Sequence, residues 1–522
     1  MTRPQIAAAI LIAVLFVAAR VCWATISTLE PDEAFSLVAV RHSWADLFRA
    51  ITGDLVHPPL FYVLLKLWLS AVGETLLALR LLPILTSLVS LAPMYLLCRE
   101  LSVPASTSNL AVLLVAANPF LVRYSQELRM YSLLVLLGLC SLWLFVRFSR
   151  AATSSRAALV ALTAVNLLLV YTHYNGWFLV AVEGAYLLWR ERSRFIAFCG
   201  GMLLVGLLFL AWAALVVSQA KTGGGFAAAL QKHLGWNMRP AWRDVVTLYS
   251  ELNGPFRSGL SFSRGKVLVG LTLFGLPIAL ALWKRIWPGS RPVEASQLSI
   301  SSKTLDWLLF FAFAPVVVTY AVSWILPVSI FGSRYLILIS VPYLILSAAC
   351  ILSLRPATVR AGIAALAVVW SAFGFVDEAR LEDRVNWVSL IESMQSAETL
   401  NPSAKQPVPF YVLTHPEPIR YTLERVDDNR FFVKPGRLYA LERRSDGSSV
   451  MKLGNFGELR DERFWLAYQE SFWYPEATER LRRRLADGGY ERLHDFQSGL
   501  QGHQGHVGLF ERPASNTATP SH

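Results

Sequence analysis

The stretch Glu30-Pro31-Asp32-Glu33 follows the first long apolar segment of the chain, residues 5–24. Three carboxylates in four residues at a membrane boundary are costly unless they face water or bind a ligand. The next residues, Ala34 to Ala50, are predicted to form an amphipathic surface helix. Asp32 and Glu33 therefore have two interpretations. They cap this helix through its dipole, or one of them is a general base at the membrane–water interface.

Composition places the chain among polytopic membrane proteins, because 54% of its 522 residues are hydrophobic and only 16% are charged. Residues 1–376 hold 14 of the 36 acidic residues and the last 146 residues hold 22. This predicts a membrane domain over 1–376, a soluble domain over 377–512 and a disordered tail over 513–522. The net charge of +12 fits arginine-rich cytoplasmic loops. We find no separate basic face suited to nucleic acid, and the five cysteines show neither disulfide nor zinc spacing.

Eleven segments are predicted to span the membrane, since a spanning helix needs roughly 20 mostly apolar residues. The first is expected to be an uncleaved span, because Arg20 and the acids after it leave no small-residue cleavage site. One further apolar run, 58–73, is short and carries Lys66 in its middle. The eleven segments are 5–24, 77–98, 107–122, 131–148, 157–172, 174–189, 195–217, 265–283, 304–325, 335–353 and 359–376.

The basic clusters determine the predicted orientation. If 58–73 does not span, the clusters near 147–156, 190–194, 284–303 and 355–360 all lie on the side of the N-terminus, which the positive-inside bias makes cytoplasmic. We therefore expect 58–73 to lie in the outer leaflet, with Lys66 reaching the surface. Residues 290–302 become a cytoplasmic loop. The segments 25–75, 123–130, 218–264 and 326–334 then share the outer face with the C-terminal domain.

The C-terminal domain is predicted to be a small α/β unit. Its pattern indicates a strand at Phe410–Thr414, a helix near 475–487 and a closing strand near His506–Glu511.

The outer face collects several polar motifs. The motif His57-Pro58-Pro59-Leu60 has two interpretations. It is a helix start with an incidental histidine, or it is a turn that holds His57 towards Asp32 and Glu33. Tyr62 and Lys66 follow one and two turns further along the helix. The run Arg123 to Tyr131 contains two outward arginines, Arg123 and Arg129, beside Glu127. Such arginines run against the charge bias, and they suit a lipid phosphate.

Two more outward motifs are weaker. Tyr171 to Trp177 forms a tight hairpin that contains His173, and half of it is an aromatic belt. Arg334, before Tyr335, lies at a helix start, which is unfavourable for a cation unless it faces an anion. Glu183 lies inside a span and needs a partner, which the sequence does not name.

These motifs, in this order, resemble those of the bacterial GT-C glycosyltransferases. The shared features are an acidic pair after the first span, a His-Pro-Pro-Leu turn, a Tyr-Ser-Gln-Glu-x-Arg-x-Tyr run and a Tyr-Thr-His-Tyr hairpin. More narrowly, they resemble the family-39-like group related to protein O-mannosyltransferases and to the lipid A aminoarabinose transferase. The resemblance covers residues 20–190 well and Arg334-Tyr335 weakly, and it is specific for the superfamily rather than for a substrate.

The resemblance implies a polyprenyl-phosphate sugar donor and a glycan, lipid or protein acceptor at the outer face of the bacterial cytoplasmic (inner) membrane. Asp32 matches the family's base, with Glu33 beside it, and Glu127 and Arg129 match the second outer loop near the donor. We expect an inverting hexosyl- or pentosyltransferase in which Asp32 deprotonates the acceptor. The remaining donor-site candidates are His57, Lys66, His173, Arg334 and Tyr335.

No cofactor is expected, although a divalent cation among Asp32, Glu33 and His57 stays open. Two other functions also stay open. A transporter or lipid flippase predicts inverted repeats and charges near the midplane. A cell-envelope assembly protein explains the C-terminal domain but not the loop carboxylates and arginines.

Overall fold

The structure is a computed structural model. It describes residues 13–14, 16–21, 24, 29–150, 156–222, 238–254, 264–286, 300–379, 385–400, 408–413, 431–433, 441–443, 449–451, 462–470, 475–499 and 504–512. The chain divides into two compact units. One comprises Met1–Ala24 and Ala39–Arg380, and the other comprises Thr25–Val38 and Leu381–His522.

The first unit is a helical bundle. The predicted outer segment, 25–75, contains three short helices, and the longer helices follow. In chain order they are α1 (Pro31–Arg41, shared with the second unit), α2 (Trp44–Asp54), α3 (Leu60–Val72), α4 (Leu76–Val89), α5 (Leu91–Glu100), α6 (Ala105–Ala117), α7 (Pro119–Gln126), α8 (Tyr131–Arg150), α9 (Arg156–Thr172), α10 (Gly176–Arg190), α11 (Arg192–Thr222), α12 (Trp242–Leu252), α13 (Arg264–Gly270), α14 (Leu276–Ile286), α15 (Ser302–Ile325), α16 (Ser340–Leu352) and α17 (Ala357–Ala379). A π-helical turn joins α13 to α14, and a 3₁₀ turn, Ser333–Ile339, precedes α16.

Seven helical stretches of the described residues are long and apolar enough to cross a membrane, and an eighth is added if the bent pair α6–α7 counts as one span. The polytopic helical fold predicted from the sequence is confirmed, but the number of eleven spans is not. Residues 156–172 and 176–190 form apolar helices of only 17 and 15 residues. The first predicted span is described only in part, as helix over 13–14 and 16–21. Most of the predicted loop 290–302 lies outside the described residues.

The bend of 56° between α6 and α7 has a local cause at Asn118-Pro119. Proline has no N–H to continue the helix and forces the preceding residue into an extended conformation. Asn118 is extended, and its side chain accepts a hydrogen bond from the N–H of Leu121, which caps α7. The buried guanidinium of Arg20 donates to the carbonyl of Ala116 at the end of α6 over 3.2 Å. The break therefore keeps its backbone groups satisfied inside the bundle.

The second unit contains a mixed sheet. Its strands follow the order β2-β1-β5-β7-β6, where β1 is parallel to β2 and β5, and β7 is antiparallel to β5 and β6. Helix α18 (Trp387–Leu400) packs on one face, and α19 (Pro475–Asp487) packs on the other. The strands are β1 (Val408–Leu413), β2 (Phe431–Val433), β3 (Leu441–Arg443), β4 (Ser449–Met451), β5 (Arg463–Gln469), β6 (Glu491–Ser498) and β7 (Gly505–Glu511), with β3 and β4 in a separate hairpin.

The predicted α/β character of the C-terminal region is confirmed. The first strand runs two residues earlier than predicted at its start, while the predicted helix and closing strand coincide with α19 and β7. Thr414 and the predicted disordered tail, 513–522, lie outside the described residues.

Candidate functional site

The turn between α2 and α3 places His57 in the interior of the first unit. Leu55 ends α2 in a left-handed conformation (φ 61°), and the two prolines then start α3. The Nδ1 atom of His57 lies 2.5 Å from Oδ2 of Asp54. The imidazole is therefore fixed from one side by a carboxylate three residues earlier.

Arg129 approaches the other side of His57 from the loop that follows α7. Its Nη2 lies 2.8 Å from Nε2 of His57, and its Nη1 lies 3.5 Å from the hydroxyl of Tyr62. The backbone N–H of Arg129 donates to the carbonyl of Glu127 over 2.7 Å, which holds the loop in a tight turn. Arg129 is only 3% exposed, so its charge lies in a largely desolvated position.

His173 lies in the turn between α9 and α10, within ring-contact distance of the same group. Its ring centroid is 6.1 Å from that of His57, 6.3 Å from that of Tyr131 and 5.9 Å from that of Tyr335. The backbone N–H of Asn175 donates to its Nδ1 atom over 3.1 Å. Burial lowers the pKa of His173 well below its usual value, and the positive charges of Arg129 and Arg334 lower it further. The histidine is therefore neutral at physiological pH.

Tyr335 and Arg334 arrive from the 3₁₀ turn before α16. The amide of Asn175 donates to the carbonyl of Tyr335 over 2.7 Å, which ties this turn to the hairpin of His173. The guanidinium of Arg334 lies 5.4 Å from the centroid of the Tyr335 ring. We call His57, Arg129, His173, Arg334 and Tyr335 the outer polar cluster.

A second group of charges surrounds Tyr124 on α7. Arg123 donates to Glu127 over 3.3 Å. The charges of Glu127, Arg123, Arg334 and Glu251 all act on the Tyr124 hydroxyl. Arg334 is thus within electrostatic range of both Tyr124 and His173, and it connects this group to the outer polar cluster.

Lys66, which the sequence suggested for the donor site, has a different role in the structure. Its ammonium donates to the carbonyls of Val40 and His42 at the end of α1, over 2.7 and 2.5 Å, and lies 5.3 Å from the ring of Trp44. A cation at a helix C-terminus is stabilised by the unpaired carbonyls there. Lys66 therefore anchors α1 instead of joining His57 and Arg129.

Asp32 and Glu33 lie in the first turn of α1, in the part of this helix that belongs to the second unit. Glu33 is buried, and its Oε2 accepts a hydrogen bond from the backbone N–H of Glu30 over 2.9 Å. Asp32 is exposed, and its carbonyl accepts from the Ser36 hydroxyl. Glu33 thus makes the capping contact that the sequence left as an alternative, whereas Asp32 lies at an exposed position of the same turn.

Two acids of these groups were missed in the sequence. Asp54 carries a recognisable signal, because it precedes His57 by three residues, a short way beyond the predicted helix Ala34 to Ala50. Glu251 lies at the end of the amphipathic helix α12, more than a hundred residues from Tyr124, and no local pattern indicates it.

Below the turn of His173, three buried side chains join three helices. The Ser141 hydroxyl lies 2.6 Å from Oδ1 of Asn166 and 2.7 Å from Oε1 of Glu183. The amide of Asn166 donates to Oε2 of Glu183 over 3.1 Å. Glu183 therefore has the polar partners inside the membrane domain that its burial requires.

A small apolar crevice adjoins the outer polar cluster. Its walls come from α8, α10, α15 and the 3₁₀ turn, and they include Leu142, Phe178, Phe311 and Leu338. Asn175 and Tyr335 also line it, so one wall is shared with the cluster. A crevice of this composition suits a hydrocarbon chain whose polar end lies at the cluster.

Within the part of the chain that the structure describes, no group of three or more His, Cys, Asp or Glu side chains is arranged to hold a metal ion. Two members of the outer polar cluster, Arg129 and Arg334, carry a guanidinium group.

Comparison with known proteins identifies the fold. The family model of the dolichyl-phosphate-mannose-protein mannosyltransferases matches residues 56–218, which include His57, Arg129 and His173. No protein of curated function matches the sequence.

Among solved structures, ArnT from Cupriavidus metallidurans bound to undecaprenyl phosphate is similar over 99% of both chains, with 12% identity and a TM-score of 0.56. The apo form of the same ArnT covers 97% of this chain and 98% of its own, with 13% identity and a TM-score of 0.55. The oligosaccharyltransferase AglB from Archaeoglobus fulgidus, in complex with an inhibitory peptide and a dolichol-phosphate, covers 97% of this chain and 74% of its own, with 12% identity and a TM-score of 0.47.

The similarity to ArnT extends over both units of the chain, including the region beyond residue 218 that the family model leaves out. The resemblance that the outer motifs suggested is thereby confirmed at the level of the fold: this chain is a multi-span membrane protein with the fold of the GT-C glycosyltransferases.

Proposed function

We propose that the protein is a glycosyltransferase that moves a sugar from a polyprenyl-phosphate donor to an acceptor at the outer face of the bacterial cytoplasmic membrane. The observation that carries this proposal is the buried guanidinium of Arg129, held by His57 and Tyr62 beside an apolar crevice. A buried cation near an apolar crevice suits a ligand with a phosphate head and an apolar tail. ArnT, which shares the fold, is bound to undecaprenyl phosphate in its structure.

The phosphate of the donor binds to Arg129 and Arg334. Both guanidinium groups act electrostatically on His173. Guanidinium groups form paired, charge-assisted hydrogen bonds with phosphate oxygens, and these bonds are strong where water is excluded. The aromatic rings of Tyr131 and Tyr335 provide flat walls for the sugar that the phosphate carries.

Asp32 is the proposed base. Asp32 lies at an exposed position that an acceptor can reach, whereas Glu33 is buried and bonded to the N–H of Glu30. Asp32 takes the proton from an acceptor hydroxyl or amine, and the freed lone pair attacks the anomeric carbon with inversion. The bond from this carbon to the phosphate oxygen breaks, and the polyprenyl phosphate leaves with the bonding electrons. Arg129 and Arg334 stabilise the charge that develops on the leaving oxygen.

The test is sugar transfer in proteoliposomes from a panel of radiolabelled polyprenyl-phosphate sugars, with hexose and pentose donors and with lipid, glycan and peptide acceptors. Wild type is expected to transfer label from at least one donor, and the matching product identifies the acceptor class. Asp32→Asn is expected to abolish transfer while retaining binding of undecaprenyl phosphate. Asp46→Asn is the matched control, because Asp46 is an exposed acid of the same outer segment.

A fully active Asp32→Asn enzyme would exclude Asp32 as the base. Movement of the labelled lipid across the bilayer without transfer, in the same proteoliposomes, would favour a lipid-linked sugar flippase instead.

A further inference from the structure

The two histidines of the outer polar cluster use their ring nitrogens in opposite ways. A guanidinium has only donors, so the Nε2 atom of His57, 2.8 Å from Nη2 of Arg129, must accept a hydrogen bond. The proton of His57 then lies on Nδ1, where it is donated to Asp54 over 2.5 Å. His57 is therefore a neutral Nδ1–H tautomer, and both of its nitrogens are engaged.

His173 is the other tautomer. Its Nδ1 accepts the backbone N–H of Asn175, and a neutral imidazole has only one protonated nitrogen, so the proton lies on Nε2. This Nε2 is buried and has no hydrogen-bond partner among the residues that the structure describes. Burial and the nearby positive charges lower the pKa of His173, which keeps the ring neutral. The result is a buried N–H donor without an acceptor.

Such a donor costs free energy until a ligand supplies an acceptor. The His173 ring lies between those of His57, Tyr131 and Tyr335, and the charges of Arg129 and Arg334 act on it. An acceptor that enters this space meets two guanidinium charges and one neutral N–H. An anionic oxygen fits these three groups better than a neutral one.

We infer that the two histidines have separate tasks: His57 is a positioning residue that orients Arg129 through its Nε2 lone pair, and the Nε2–H of His173 donates to a phosphate oxygen of the bound lipid. This changes the sequence-based expectation for His57, because its only N–H is already donated to Asp54. The identity of the ligand rests on the proposed function. The assignment of the two tautomers does not.

Substitutions separate positioning from direct phosphate binding at position 57. Lysine only donates, so His57→Lys can bind a phosphate but cannot accept from Arg129. It is expected to weaken binding of undecaprenyl phosphate roughly tenfold or more, the usual effect of losing one hydrogen bond to a charged group. The amide oxygen of His57→Gln accepts, and this variant is expected to keep more affinity than His57→Lys. His42→Lys controls for the added charge, because His42 is exposed.

At position 173 the inference requires an N–H donor for binding of the lipid phosphate. His173→Phe removes the N–H and is expected to weaken binding roughly tenfold, whereas His173→Gln retains an N–H donor and is expected to fall between His173→Phe and wild type. Binding is measured with the full-length protein in nanodiscs and purified undecaprenyl phosphate. Equal or tighter binding by His57→Lys would overturn the positioning role, and unchanged binding by His173→Phe would overturn the donor role.

Nitrogen NMR of ¹⁵N-histidine-labelled protein tests the tautomers without any ligand. The expected spectrum has His57 protonated at Nδ1 and His173 protonated at Nε2, each assigned by the signal missing from its Gln variant. Undecaprenyl phosphate should then shift the Nε2 signal of His173 most. A His173 protonated at Nδ1 would overturn the inference in the absence of ligand. Correct tautomers in a protein that does not bind the lipid would instead overturn the proposed function and uphold the tautomer assignment.

Discussion

Asn166 and Glu183 face each other across the α9–α10 hairpin, with Nδ2 of Asn166 3.1 Å from Oε2 of Glu183. Asn166 precedes His173 by seven residues, and Glu183 follows the first residue of α10, Gly176, by seven. The contact therefore lies about 10 Å along both helices from the turn, at a rise of about 1.5 Å per residue. The Ser141 hydroxyl on α8 lies against both side chains and has one proton for two acceptor oxygens.

Glu183→Gln is predicted to leave the stability of the bundle nearly unchanged. If the Ser141 hydroxyl donates to Asn166, the three side chains form a closed ring of hydrogen bonds only when Glu183 is protonated and donates to Ser141. A glutamine amide makes the same bonds as a protonated acid. Glu183→Leu leaves the Asn166 amide and the Ser141 hydroxyl without this partner and should cost about 1–3 kcal/mol. Thermal unfolding in detergent measures both, with Thr163→Val as a control whose hydroxyl donates only to its own helix. A loss in Glu183→Gln as large as that in Glu183→Leu would contradict the closed ring.

Arg129→Lys is predicted to weaken undecaprenyl phosphate binding by roughly tenfold or more, because a lysine ammonium cannot reproduce the planar fork that contacts both His57 and Tyr62. Binding in nanodiscs measures the effect. The matched control is Arg147→Lys, since Arg147 is half exposed and pairs with Glu100. Equal affinities for Arg129→Lys and wild type would show that only the charge matters.

His173 predicts a dependence of stability on pH. Its pKa is lowered in the folded protein, so between that value and about 6.5, the ordinary value, the unfolded chain binds more protons. Stability should therefore fall as the pH drops below about 6.5, by at most about 1.4 kcal/mol per pH unit from this residue, and stop falling at the folded pKa. His173→Phe should remove this part of the slope in thermal unfolding between pH 7.5 and pH 5, a range chosen to bracket about 6.5. Parallel curves for the two proteins would contradict it.

The sequence predicted the features that depend on composition and on local residue order, such as the positions of the long helices. Long apolar runs give long helices, and the positions of α8, α11 and α15 follow from hydropathy alone. Strands β1 and β7 and the helix α19 follow from the alternation of apolar residues and from the turn residues that bound them, whereas β2 to β6 were not predicted. The bend at Asn118-Pro119 was missed, since 107–122 was predicted as one span, although the residue before a proline disfavours the helical conformation.

The pairings of the site did not follow from the sequence. His57 and Arg129 are separated by 72 residues, and their contact depends on how α3 packs near the loop after α7. Lys66 had the charge for a phosphate site, but the carbonyls at the end of α1 compete for it. Residue types thus indicated the chemistry of the outer face, whereas tertiary packing decided which side chains meet.

The shortness of α10 has a consequence for the surrounding membrane. Its 15 residues extend about 23 Å at a rise of about 1.5 Å each, against a hydrocarbon core of about 30 Å. If α10 spans the bilayer, as the sequence predicts, hydrophobic mismatch of this size favours local thinning of the bilayer, which would draw lipid headgroups towards the turn that bears His173. Transfer in bilayers of short-chain lipids should therefore exceed transfer in long-chain bilayers of the same headgroup. The thickness of the membrane would then influence how readily a lipid phosphate reaches Arg129.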